Sequence, residues 1–110
     1  MCGISGIFNY SKKNIEIKSL VKKIVKHQFN RGPDNSGFWI SENQNICFGH
    51  NRLSIIDLST NANQPFISKD QNLVITFNGE IYNYLEIKDF LKTKKIIFKS
   101  NSDTEVILES

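Results

Sequence analysis

Cysteine, proline, arginine and alanine are all scarce in this chain of 110 residues, which holds two, two, two and one of them. Two cysteines, Cys2 and Cys47, cannot build a disulfide scaffold, so each thiol has to be read separately. No apolar run approaches the ~18 residues that would span a bilayer, and the start carries neither a basic region nor a cleavable apolar stretch. A cytoplasmic protein without membrane attachment is expected. The length suits a single core, which excludes a two-domain enzyme within these residues. The net charge of +3 comes from twelve lysines, many between Lys12 and Lys26 or Lys88 and Lys99, with acidic residues interleaved. That pattern describes a solvated surface and argues against a nucleic-acid footprint. Only two arginines, Arg31 and Arg52, offer the planar fork that grips a carboxylate.

What is present reads as alternating strands and helices. The small apolar run Cys2 to Phe8, with Gly3 and Gly6, fits a buried strand. Residues 15 to 29 change period: Ile17, Leu20, Val21, Ile24, Val25 and Phe29 fall at helical spacing, and Arg31-Gly32-Pro33-Asp34 ends the helix. The segments Gly37 to Ile40, Ile46 to His50 and Leu53 to Asp57 predict a meander. After an irregular stretch through Pro65, Leu73 to Phe77 predicts a strand buried on both faces. A helical stripe follows at Tyr84, Ile87, Phe90 and Leu91, then a strand at Ile96-Ile97-Phe98. Ser102-Asp103-Thr104-Glu105 fits a capping box that opens a last helix. Two turns are marginal by themselves, so the chain is expected to stop inside an element whose partners lie downstream.

Several residues carry candidate chemistry. Cys2 stands behind an initiator Met; removal of Met1 would leave a thiol beside an α-amine, which titrates near ~8 and can act as its base. An ordinary buried thiol is the alternative. Asn78-Gly79 admits two readings: a type I′ hairpin turn, or a strand end that presents the Asn78 amide and the Gly79 N–H as an oxyanion hole. Arg52 is either a surface residue or a carboxylate ligand. Asp103 and Glu80 are either helix-end charges or partners for an ammonium. Arg31 and Asp34 read as a structural pair within their turn. A zinc site from Cys2, His27, Cys47 and His50 is disfavoured, because alternation sends Cys47 and His50 to opposite strand faces and paired cysteine spacing is absent. Cys47 reads as core, and His27 as the end of the first helix.

Taken together, Met1-Cys2-Gly3-Ile4-Ser5-Gly6-Ile7-Phe8, Arg31-Gly32-Pro33-Asp34, Gly49-His50-Asn51-Arg52-Leu53-Ser54-Ile55-Ile56-Asp57, Gln64-Pro65, Phe77-Asn78-Gly79-Glu80-Ile81-Tyr82-Asn83 and Ser102-Asp103-Thr104-Glu105 resemble one family. In this order they are similar to the glutaminase domain of glutamine-hydrolysing asparagine synthetases, class II amidotransferases of the N-terminal-nucleophile hydrolase type. One departure is Asn30, where such domains usually carry His. The resemblance implies an α/β (α+β) fold, an α/β/β/α sandwich with antiparallel sheets, cut short at its C-terminal end. Residues 1–110 would be the N-terminal part of the amidotransferase domain, with the synthetase domain absent.

The same resemblance implies residue roles. Cys2 would attack the glutamine carboxamide, with Asn78 and Gly79 holding the oxyanion. Arg52 would bind the α-carboxylate, and Glu80 and Asp103 the α-ammonium. Leu53, Ser54, Ile55 and Ile56 would line the pocket. No metal or cofactor is expected for this step; ATP and magnesium would belong to the absent synthetase domain. The implied partners are glutamine and an ammonia-accepting synthetase domain or chain, with a homodimer possible at full length. Aspartate is the favoured ammonia acceptor. The competing readings are a silent fragment that binds glutamine or a partner chain, and an unrelated α/β binding module with a coincidental Cys2.

Overall fold

The computed structural model describes residues 1–11 and 13–110; Lys12, counted above with the first group of lysines, lies outside them. Strand β1 (Gly3–Phe8) is followed by helix α1 (Ile17–His27), then β2 (Asn35–Ile40) and β3 (Ile46–Arg52). Two short strands, β4 (Phe66–Ile67) and β5 (Val74–Ile75), precede helices α2 (Tyr84–Thr93) and α3 (Asp103–Glu109). The first three strands form an antiparallel sheet in the order β1-β3-β2, and β4 and β5 pair antiparallel in a second sheet. Helix α1 covers one face of the first sheet, and α3 packs on the second sheet and on α2. The result is a mixed α+β fold with antiparallel sheets, compatible with the sandwich that the resemblance implies. Among the described residues, no helix is long and apolar enough to cross a membrane.

Alternation explains β3. As the central strand it is covered on both sides, and its last four residues, Gly49 to Arg52, are all buried. Cys47 faces α1 in a core with Ile17, Val21 and Val25. These three helix positions recur every four residues, one stripe of α1. The stripe is narrower than the sequence implies, because Leu20 and Phe29 are exposed. Gly49 lets the helix approach: a Cβ there would lie 2.5 Å from Val25 Cγ2 and 2.7 Å from Val21 Cγ1. His50 points to the other face, toward Phe77.

Five expectations need correction. Strand β1 is not buried: it lies at the edge of its sheet, and Ile4 and Phe8 are exposed. Leu53 to Asp57 is not a strand, because its backbone is taken up by side chains: Leu53 N–H donates to Cys2 Sγ and Ser54 N–H to Asp34 Oδ2. Ile96 to Phe98 is irregular as well, and Ile97 is exposed with no sheet to join. The run from Leu73 to Phe77 pairs only at Val74 and Ile75, on β4, which lies in a stretch read as irregular; the run is half-buried at best and Leu73 is exposed. Ser102 does cap α3, accepting from Thr104 N–H at 3.1 Å, but the reciprocal half of the box is missing. Glu105 instead accepts from Lys99 N–H, Ser100 N–H and Ser100 Oγ, tying down the loop before the helix.

Candidate active site

Strand pairing sets the nucleophile candidate in place. Because Gly3 faces Asn51 across the β1–β3 ladder, Cys2 stands beside the end of β3, where the chain leaves the sheet. Its half-buried Sγ accepts from Leu53 N–H at 3.3 Å and lies 3.7 Å from Leu53 O. Arg31 Nε donates to Cys2 O at 3.4 Å. The sequence pairs Arg31 with Asp34; the structure does not, since Arg31 turns to Cys2 O while Asp34 Oδ2 accepts from Ser54 N–H. Arg31 therefore holds the backbone of Cys2, a contact its turn motif does not reveal.

The type I′ hairpin reading of Asn78-Gly79 is excluded. A type I′ turn needs positive φ at both central residues. Among the described residues the positive φ angles belong to Gln44, Gln71 and Lys95, and to no glycine. The chain moreover runs on from Gly79 into α2 without a return strand. Asn78 is half-buried, Gly79 and Glu80 are exposed, and all three border one cavity.

That cavity, of about 350 Å³, joins four distant parts of the chain. Cys2 borders it from just before β1, Arg52, Leu53, Ile55 and Ile56 from the end of β3 and the loop that follows, Asn78 to Glu80 from beyond β5, and Asp103 from the first turn of α3. Of the ten residues to which the resemblance assigns roles, only Ser54 lies outside it, since its N–H is held by Asp34 in a separate surface depression. The size falls within the range of small-molecule sites. Met1, Gln64, Phe77 and Thr104 also line it; none of these was a sequence candidate.

Two charged side chains in the wall are buried. Arg52 is 7% exposed and its guanidinium holds the loop that follows: Nη1 donates to Ser59 O at 2.7 Å and to Asn63 Oδ1 at 2.8 Å, and Nη2 to Asp57 O. A guanidinium has five N–H donors, so two remain for a carboxylate. The curl of this loop around Arg52 is the physical reason that no strand forms here. Asp103 is 5% exposed; its Oδ2 accepts from Ile81 N–H at 3.0 Å, the only hydrogen bond its carboxylate makes among the described residues. The other oxygen is available to a cation entering the cavity. Asp57 braces the loop from outside, its carboxyl held below the ordinary value chiefly by Asn101 N–H and then by Ser59.

The remaining thiol and imidazole do other work. Burial pushes the Cys47 thiol up, against the weaker pull of Lys18 and Lys22, which makes it inert. His50 is fully buried, and burial lowers its basicity. Cys47 and His50 occupy opposite faces of β3, and no group of three potential metal ligands exists among the described residues.

Comparison with known proteins agrees with this geometry. A family profile described as a glutamine amidotransferase domain matches residues 1–110. The chain is 41% identical to asparagine synthetase [glutamine-hydrolyzing] 1 of Bacillus subtilis over 98% of its length, covering 17% of that protein. It is 39% identical to asparagine synthetase [glutamine-hydrolyzing] of Zea mays over 97% of its length, covering 17% of that relative. Similarity extends to amidase chry2 of Gibberella zeae, 35% identical over 98% of the chain and 17% of the relative. The chain thus spans about a sixth of the length of these relatives. It belongs to the glutamine amidotransferase domain family, of the class II type.

Proposed function

We propose that this domain hydrolyses glutamine to glutamate and ammonia through Cys2. The observation that carries the reading is the shared cavity, which gathers the Cys2 thiol, Asn78, Gly79, an arginine and a buried carboxylate from four separate segments. Removal of Met1 gives Cys2 a free α-amine. This amine takes the thiol proton as Sγ bonds to the carboxamide carbon of glutamine. Negative charge develops on the former carbonyl oxygen, between the Asn78 amide and the Gly79 N–H. The intermediate collapses, the amine returns its proton to the departing nitrogen, and ammonia leaves a thioester on Cys2. Water then adds to the thioester, the same amine accepting its proton, and glutamate departs with the thiol restored.

Binding follows charge. Arg52 holds the α-carboxylate with its two remaining donors, and Asp103 and Glu80 hold the α-ammonium. Leu53 N–H, already directed at Cys2 Sγ, stabilises a thiolate. The ammonia passes to an ATP-dependent synthetase domain or chain, with aspartate the favoured acceptor. Two of the relatives described bear the name asparagine synthetase and a third is named an amidase, so a domain of this kind serves proteins of more than one name.

One observation favours a second reading, a domain that binds glutamine without turning it over. Met1 itself borders the cavity, and while it remains attached the Cys2 nitrogen is an amide that cannot accept a proton. The deciding experiment is glutamate release from glutamine by the parent protein and by Cys2→Ala. Release that disappears with Cys2→Ala supports hydrolysis; equal rates reject it.

A further inference from the structure

Phe77 lies two residues beyond β5 and immediately before the Asn78-Gly79 pair, and among the described residues no neighbouring strand satisfies its backbone. Two buried side chains do so instead. Gln64 Oε1 accepts from Phe77 N–H at 2.7 Å, and His50 Nε2 stands 3.3 Å from Phe77 O. Gln64 is itself fixed by Thr104 Oγ1, which accepts from its Nε2 at 3.2 Å. His50 has no exposed surface, and its Nδ1 is buried without a partner. The Nε2–H tautomer is therefore assigned: it donates to the carbonyl, whereas the other tautomer would strand an N–H and set a lone pair against an oxygen. The ring of Phe77 in turn packs on the next residue but one, since a Cβ on Gly79 would lie 2.5 Å from Phe77 Cζ.

Burying a glutamine and a histidine to hold one residue is costly unless position matters, because apolar side chains fill a core more cheaply. We propose that His50 and Gln64 are positioning residues for the oxyanion hole, clamping both backbone polar groups of Phe77 and so setting where the Asn78 amide and Gly79 N–H stand. The proposal rests on the amidotransferase reading. It requires no contact between His50 and substrate, and its effect falls chiefly on the transition state, since Arg52 and Asp103 hold the substrate from other segments and only Glu80 shares the clamped one.

The test uses the intact protein and four variants, His50→Leu, His50→Gln, Gln64→Leu and Gln64→Glu. Each leucine removes a clamp. The Gln at position 50 restores an N–H within reach of Phe77 O, and the Glu at position 64 restores an acceptor for Phe77 N–H. The leucine variants should lower kcat for glutamine hydrolysis about 10- to 100-fold with KM changed less than about threefold, and the conservative variants should recover most of the loss. Leucine variants with kcat within twofold of the parent, or conservative variants as impaired as leucine, overturn the proposal. Hydrogen exchange at the Phe77 amide of the parent gives an independent readout that needs no variant to fold: the clamp requires protection, and exchange at the rate of an open loop contradicts it. A protected Phe77 in a parent that hydrolyses no glutamine overturns the amidotransferase reading, and with it the catalytic role of the clamp. An unprotected Phe77 in an active parent overturns the clamp alone.

Discussion

Replacing Asp103 separates recognition of the substrate ammonium from support of the fold, because its two oxygens have different tasks. Oδ2 accepts from Ile81 N–H at 3.0 Å, while the other oxygen is open to the cavity. Asp103→Asn keeps an oxygen for Ile81 and removes the charge. A hydrogen bond to a charged group is worth about 1.5–3 kcal/mol, so kcat/KM for glutamine should fall about 10- to 150-fold, mostly through KM. Thermal stability should barely move. Asp103→Ala also orphans the Ile81 N–H, at about 1–3 kcal/mol, and should lower Tm by roughly 4–8 °C per kcal/mol. The assay is glutamate release at varied glutamine, repeated with an analogue lacking the α-amino group. The parent should prefer glutamine strongly, and Asp103→Asn should lose most of that preference, as expected when one mutation and one missing group remove the same contact. If Asp103→Asn keeps the parent's KM and preference, Asp103 does not bind the ammonium and serves only as a tether for Ile81.

Further outcomes follow from the same contacts. Alkylation of the native protein should modify Cys2 and spare Cys47, which is fully buried with its thiol pushed up, until denaturant is added; peptide mapping checks this. Gly49→Ala should destabilise by about 1–3 kcal/mol in denaturant unfolding, since the new methyl meets Val21, Val25 and Ser5 at 2.5–2.7 Å and α1 must lift from the sheet. His50 should make stability pH-dependent. Burial first, and then the charge of Arg52, lower its pKa below 6.5, against the opposing bond to Phe77, so the unfolded chain takes up a proton that the native state refuses. Its full contribution is present above pH 6.5 and is lost as pH falls toward the folded-state pKa, at up to about 1.4 kcal/mol per pH unit for one proton. Melting curves of the parent and His50→Gln should diverge in that window.

Sequence picked out the residues that share one cavity more fully than it revealed the strands. Helix α1 was legible because Ile17, Val21 and Val25 recur at its period, and β1 and β3 because their apolar runs are bounded by polar turns. Leu53 to Asp57 misled because its apolar residues line a cavity, and a β-like pattern does not disclose that Arg52 and Asp34 have claimed the backbone. Ile96 to Phe98 misled for a related reason: its apolar pattern has no strand to pair with. The candidate residues came from order along the chain, and most border one cavity because their motifs sit at element ends. Arg31, Gln64 and His50 escaped notice as supports because their partners, Cys2 O and the backbone of Phe77, lie 27 or fewer positions away from two of them and 29 from the third, with no local signal joining them. Gln64-Pro65 was visible as a motif, yet nothing in it announces an acceptor for Phe77.

The central claim is that a Cys2 freed of Met1 is the nucleophile. Its most direct test is mass mapping of the N-terminal peptide after incubation with a glutamine analogue that carries an electrophilic ketone in place of the carboxamide. The account predicts a peptide beginning at Cys2, labelled once on that residue, with labelling suppressed by excess glutamine. Retained Met1, or a label on any other residue, would contradict it.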